Sequence, residues 1–268
     1  MPKTISALAK DTQTFLDVAR SAALGAADII MAALDRPRTY SQKRVTDLVT
    51  DTDRRSEDFI LSRLSTEFSD HGILAEESGA TSNTSDYLWV IDPLDGTTNF
   101  VHGYPSFAVS IGLLEKGNPI LGVVVELPVG QVYTGIKGHG AFRDGKPISV
   151  SRTSSLQHAL LVTGFGYEHG AVWEKNMALF KMFTDRTQGV RRLGAAAVDL
   201  CHVACGQVDG FWEFDLAPWD TAAGIVIVSE AGGVITQLNG DDYTIHSGSI
   251  LATNGLLQAE MMEEMRKL

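Results

Sequence analysis

YLWVIDPLDGTTNFVHGYPSF, residues 87–107, is the stretch from which the rest of the chain is read. Residues 87–91 are apolar, aromatic or β-branched and are followed by a Pro and a Gly, a pattern that predicts a buried strand ending at Asp92. Pro93 fixes its own φ and lacks an N–H, while Gly96 admits a backbone conformation that other residues avoid. A tight turn is therefore expected to bring Asp92 and Asp95 to face one point. Two anions so placed repel each other unless a cation sits between them, and hard oxygen ligands suit Mg²⁺ or Mn²⁺. An Asp-rich β-turn with an Asx hydrogen bond uses the same residues without any metal. Just past the acids, Gly96, Thr97 and Thr98 offer amides and hydroxyls of the kind that hold phosphate. Metal ligands beside an anion cradle point to phosphate-ester chemistry.

The chain of 268 residues is long enough for one large domain or two ordinary ones, and its 44% hydrophobic content supports a packed core. Lys+Arg 22 against Asp+Glu 33 gives a net charge of -11, which argues against nucleic acid as the main ligand. A phosphorylated substrate would need metal to enter such a field. Cys201 and Cys205 are the only cysteines, too few for a disulfide framework, and fit a reducing cytoplasm. With no long apolar run and no signal-peptide pattern at the N-terminus, a cytoplasmic protein without membrane attachment is expected.

Apolar residues at helical spacing predict a first long helix over 11–34, stopped at Arg36-Pro37, and a polar, basic loop over 38–45. Asp47, Asp51 and Asp53 precede a second helix, where acids serve as caps and favour the dipole. Residues 73–75 read as a short strand running into Glu76-Glu77-Ser78-Gly79, another pair of acids at a strand end. Segments 107–114, 120–127 and 131–136 read as an antiparallel meander, with a turn at 143–147.

A polar stretch at 149–154 is the expected boundary between an N-terminal α+β domain, 1–150, and a C-terminal α/β domain, 151–268. Beyond it strands and helices alternate, with helices expected over 171–184, 195–205 and 219–231 and a last one from 256. Asp220 sits at a helix start, either as a cap or as a ligand closing a metal site from the second domain. Gly194 to Ala196 opens a helix with small residues that admit close approach of a ligand or of a neighbouring element. Cys201, His202 and Cys205 lack a fourth ligand and the usual zinc spacing, so core packing is expected. No dinucleotide or P-loop pattern occurs.

Three separated motifs resemble the inositol monophosphatases: 75–79 AEESG, 89–100 WVIDPLDGTTNF, and Trp219-Asp220 followed by Glu230-Ala231-Gly232-Gly233. That family comprises Mg²⁺-dependent, lithium-sensitive phosphatases with a layered α-β-α-β-α fold shared with fructose bisphosphatases. The resemblance implies that Glu76, Asp92 and the carbonyl of Leu94 hold a first Mg²⁺, and that Asp92, Asp95 and Asp220 hold a second. It implies that Asp53 orients Thr97 and that Glu76 with Thr97 positions the attacking water. Gly96 and Thr97 would receive phosphate, and Gly194, Ala195, Ala196 and Glu213 would line the sugar-alcohol side together with Asp95 and Asp220. A homodimer is implied as well. Two departures touch a third metal and the substrate side: a family lysine aligns with Gln42, next to Lys43, and a family serine is replaced around 165–167.

The expected activity is hydrolysis of myo-inositol 1-phosphate. Fructose 1,6-bisphosphate, histidinol phosphate or a 3′-phosphonucleotide are alternative substrates. A regulatory protein that retains the metal site is the alternative from another class.

Overall fold

The computed structural model describes residues 10–36, 40–42, 48–81, 84–166 and 169–268. Helix α1 (Lys10–Leu34) buries a stripe of alanines with Phe15, Leu16 and Ile30, and its small residues let helix α2 (Asp51–Glu67) lie close beside it. Between them a short hairpin pairs β1 (Tyr40–Gln42) with β2 (Leu48–Thr50), so part of the expected loop is strand. Lys43, Asp47 and the Gln42 side chain lie outside the described residues.

The first sheet takes β3 (Gly72–Ala75), β4 (Gly79–Ala80) and β5 (Tyr87–Asp95), then, after the short helix α3 (Thr97–His102), β6 (Phe107–Glu115) and β7 (Asn118–Leu127). It is completed by β8 (Gln131–Ile136), β9 (Gly140–Arg143) and β10 (Lys146–Pro147), in the order β10-β9-β8-β7-β6-β5-β3-β4. From β5 to β10 every pairing is antiparallel, which includes the meander expected over 107–136, while β3 runs parallel to β5.

The chain passes to the second sheet with β11 (Leu160–Thr163), followed by α4 (Ala171–Arg186), β12 (Gly189–Arg191), α5 (Ala196–Ala204) and β13 (Gly210–Phe214). It ends with α6 (Pro218–Glu230), β14 (Val234–Thr236), β15 (Ser249–Thr253) and α7 (Gln258–Met265). The strand order is β12-β11-β13-β15-β14, with β11 parallel to its two neighbours.

Alternation along each strand assigns the layers. On β5, β6 and β7, Trp89, Ile91, Val109, Ile111, Val123 and Val125 face α1 and α2, while Val90, Ala108 and Val124 face α5 and α6. The same α5 and α6 cover Phe211, Ile250 and Ala252 of the second sheet, whose other side packs Leu161, Trp212 and Leu251 on α4 and α7. The result is α-β-α-β-α. Among the described residues no helix is long and apolar enough to cross a membrane.

Helix α6 is buried along most of its length because the first sheet is bare beneath it. Gly112, Gly122 and Gly135 are register partners on β6, β7 and β8 and form a row across the sheet. A Cβ on Gly122 would stand 2.2 Å from the Ala223 carbonyl oxygen, and one on Gly135 2.8 Å from the Ile227 Cα. Gly122→Val should therefore destabilise the protein by about 3 kcal/mol, the upper part of the range for overpacking, since backbone is what it meets. A urea midpoint unchanged from wild type would refute this close approach.

Candidate functional site

Strand β5 does not stop at Asp92, as its pattern predicts, but runs on to Asp95 through a bulge. Asp92 pairs with Ser110 and Asp95 with Ala108, so three residues on β5 span what two span on β6. In an unbroken strand, side chains three apart point to opposite faces; the extra residue brings both acids to one side. Pro93 and Leu94 sit in the bulge, where the Leu94 amide donates to Asp92 Oδ1 at 3.0 Å. The Asx hydrogen bond and the convergence of the acids thus coexist.

Asp220 joins them from the first turn of α6, and one carboxylate oxygen from each of Asp92, Asp95 and Asp220 lies within 4.8 Å of the others. Glu76 is placed beside β5 by its amide's hydrogen bond to the Ile91 carbonyl, and its charge bears on all three. Burial raises the pKa of Asp92 and Asp220 well above the usual carboxylate range, and the neighbouring acids raise it further. Asp95 is pushed up to about 7, mainly by burial, although the amides at the start of α5 pull the other way. Hard oxygen donors that suppress one another's ionisation are the donor set a divalent cation relieves.

Backbone amides fix each acid. Asp95 Oδ2 accepts from the Ala197 amide at 2.8 Å, and Asp220 Oδ2 from the Ala217 amide at 2.7 Å. Asp220 and Asp53 each cap a helix and also stand at the candidate site. Asp53 closes the capping box of α2 with Thr50, and its Oδ1 accepts from Thr97 Oγ1 at 2.9 Å. Burial raises the pKa of Asp53, and its hydrogen bonds partly oppose this. Thr97 Oγ1 also lies 3.1 Å from the Leu94 carbonyl, the expected metal ligand.

The sequence reading missed the other two polar groups on this face of α2. Ser56 Oγ donates to the Pro93 carbonyl at 2.8 Å, and the Glu57 carboxylate accepts from the Glu77 and Ser78 amides at 2.8 Å each. Asp53, Ser56 and Glu57, at i, i+3 and i+4, thus hold the two acid-bearing loops to one helix. All three are buried, and an acid recurring on a buried helical face was the available signal. Asn99 was missed too: its Nδ2 donates to the Ser106 and Leu193 carbonyls at 2.6 and 2.7 Å, tying the segment before α5 to α3.

A cleft of about 360 Å³ opens beside the triad and is lined by Asp95, Gly96, Gly194, Ala195, Ala196, Glu213 and Asp220, all expected at the site. Gly96 opens α3 with φ 86 and packs under the Ser106 carbonyl, which accounts for the glycine there. Glu213 is buried with a raised pKa, mainly from burial and then from Asp220. It fits because Gly164 has no side chain: a Cβ there would lie 2.1 Å from a Glu213 carboxylate oxygen. Phe165 and Gly166 also line the cleft where the family serine was expected; Tyr167 lies outside the described residues. Cys201 is buried in the core and the His202 ring lies 3.1 Å from Glu126 Oε1, in keeping with packing.

The sequence profile of the inositol monophosphatase family matches residues 11–268. Phosphatase IMPL1, a chloroplastic protein of Arabidopsis thaliana, is 50% identical over 257 residues, 93% of this chain and 69% of that protein. Nus factor SuhB of Pseudomonas aeruginosa is 40% identical over 249 residues, 90% of this chain and 92% of its own. The solved inositol monophosphatase from Anabaena superposes with a TM-score of 0.86 at 43% identity, covering 97% of this chain and 98% of that one. Sequence and fold agree along nearly the whole length: the chain belongs to the inositol monophosphatase family and is a phosphatase of phosphate monoesters.

Proposed function

We infer that the substrate is myo-inositol 1-phosphate or a close relative and that the cofactor is Mg²⁺, two or three ions, with Mn²⁺ able to replace it. The observation that carries this is the Asp92, Asp95 and Asp220 triad standing beside a cleft of polyol size. Glu76, Asp92 and the Leu94 carbonyl would hold one ion, and Asp92, Asp95 and Asp220 another. A bound divalent cation supplies positive charge against the phosphate oxygens and acidifies water.

The chain's own groups supply geometry and proton handling. The Thr97 hydroxyl proton has Asp53 Oδ1 as its nearer acceptor and the Leu94 carbonyl as a second, so its lone pairs would accept from an attacking water. Asp53, with its raised pKa, is suited to take up that proton through Thr97. Glu76 would orient the water together with Thr97. The Gly96 and Thr97 amides would receive the phosphate, and Gly194, Ala195, Ala196 and Glu213 would seat the leaving alcohol. Phosphate-monoester hydrolysis is among the slowest uncatalysed reactions, with enzymes supplying up to about 10²¹-fold, so positioning and charge must dominate. A cytoplasmic homodimer inhibited by lithium completes this reading.

A regulatory role is the second reading, favoured by the likeness to a Nus factor. The intact acid set supports catalysis in either case. Phosphate release from myo-inositol 1-phosphate, fructose 1,6-bisphosphate, histidinol phosphate and a 3′-phosphonucleotide should give the highest kcat/KM with the inositol ester and inhibition by millimolar lithium. A clear preference for another of the four would overturn the substrate assignment. Asp95→Asn keeps an oxygen for the Ala197 amide but loses a charge, so hydrolysis should fall by about a hundredfold or more while the fold persists. Near wild-type turnover would remove Asp95 from the site.

Asp92, Asp95 and Asp220 have raised pKa values in the fold, so the folded protein without metal binds more protons than the unfolded chain. Their stabilising contribution is present below the unfolded carboxylate range, about pH 4, and is lost as pH rises through the folded values, about 7 for Asp95. The melting temperature of chelator-treated protein should thus fall between about pH 5 and about pH 8, and Mg²⁺ should restore it. A flat profile indifferent to Mg²⁺ would count against a cation site at these acids.

A further inference from the structure

Four carboxylates line the cleft, those of Asp95, Glu213, Asp215 and Asp220, and among the described residues Arg192 is the one basic side chain with them. Its guanidinium lies over Gly194, where a Cβ would stand 2.5 Å from its Nη1. That segment is pinned, because Asn99 Nδ2 donates to the Leu193 carbonyl at 2.7 Å. The charge of Arg192 reaches Glu213 and Asp199, whose acidity it favours against the effect of burial. An exposed arginine usually points into solvent, but this one is folded onto the rim of the site.

Resting on the substrate reading above, we propose that Arg192 is the specificity-determining residue of the leaving-group side, donating to hydroxyls of a polyol while Glu213 accepts from them. A guanidinium offers five donors in a planar fork and a carboxylate only acceptors, so the two together read a ring bearing several hydroxyls. Such a ring satisfies both; an aryl leaving group satisfies neither. The excess of acids around the arginine argues against a second phosphate as its ligand, since that anion would face Glu213 and Asp215 as well. Phe165, held against Trp173 and Phe180 with ring centroids 6.2 and 5.9 Å away, adds an apolar wall suited to the carbon face of the ring.

The test compares kcat/KM for myo-inositol 1-phosphate with that for p-nitrophenyl phosphate in wild type, Arg192→Ser and Arg192→Lys. Arg192→Ser should lower the ratio of the two about tenfold, chiefly through KM of the inositol ester, as expected for a lost charged hydrogen bond. Arg192→Lys should recover only part of it, because the charge remains and the fork does not. An unchanged ratio, or full recovery with lysine, would overturn the role of Arg192. A larger loss on fructose 1,6-bisphosphate than on the inositol ester would overturn it too, in favour of a second phosphate as its ligand. A wild-type enzyme that cleaves p-nitrophenyl phosphate but not the inositol ester would refute the substrate reading before any variant is assayed.

Discussion

Mutual repulsion among closely set carboxylates is the constraint around which this structure is built. Asp92, Asp95 and Asp220 stand within 4.8 Å of one another, with the charge of Glu76 close by, in a protein whose net charge is already -11. Side chains so placed would swing apart if nothing held them. Each instead has one oxygen taken by a backbone amide: that of Leu94, of Ala197 or of Ala217. Those amides come from a bulge and from the first turns of two helices, where N–H groups lack intrahelical partners. For Asp95 the neighbouring amides of Ala196 and Val198 help as well. Local structure thus makes tolerable an arrangement that chemistry requires and electrostatics resists.

The first turn of α6 carries one of these acids, and its position follows from packing far from the cleft. The glycine row of β6, β7 and β8 lets its backbone rest on the first sheet, while its other side, with α5, covers the second sheet. One helical layer therefore serves two sheets. The reach of Asp220 to Asp92 and Asp95 is set by that double contact as much as by the cap at Ala217.

Much of this was legible in the chain itself. Asp92, Asp95 and Asp220 each follow a strand-like run or open a helix-like one, and the motif resemblance assigned them one role. The strand end was misread because a period-2 pattern cannot show an inserted residue: Pro93 and Gly96 suggested a turn, and the backbone made a bulge that carries the strand to Asp95. Ser56, Glu57 and Asn99 escaped notice for another reason. Their partners are main-chain atoms 7 to 94 residues away, and a backbone amide or carbonyl leaves no mark in the residue type. Helix α2 looked like an amphipathic element with an acidic cap; its second, polar buried line emerged only once the loops stood over it.

The bond from Asp95 to the Ala197 amide joins residues 102 positions apart. During translation the strand bearing the acid leaves the ribosome well before the helix that receives it. Until α5 has docked between the two sheets, that carboxylate has no partner to steady it, and Asp220 has not yet been made. Convergence of the three acids is therefore a late event in the life of the nascent polypeptide. An incompletely synthesised chain lacks the contacts that bring Asp92, Asp95 and Asp220 together.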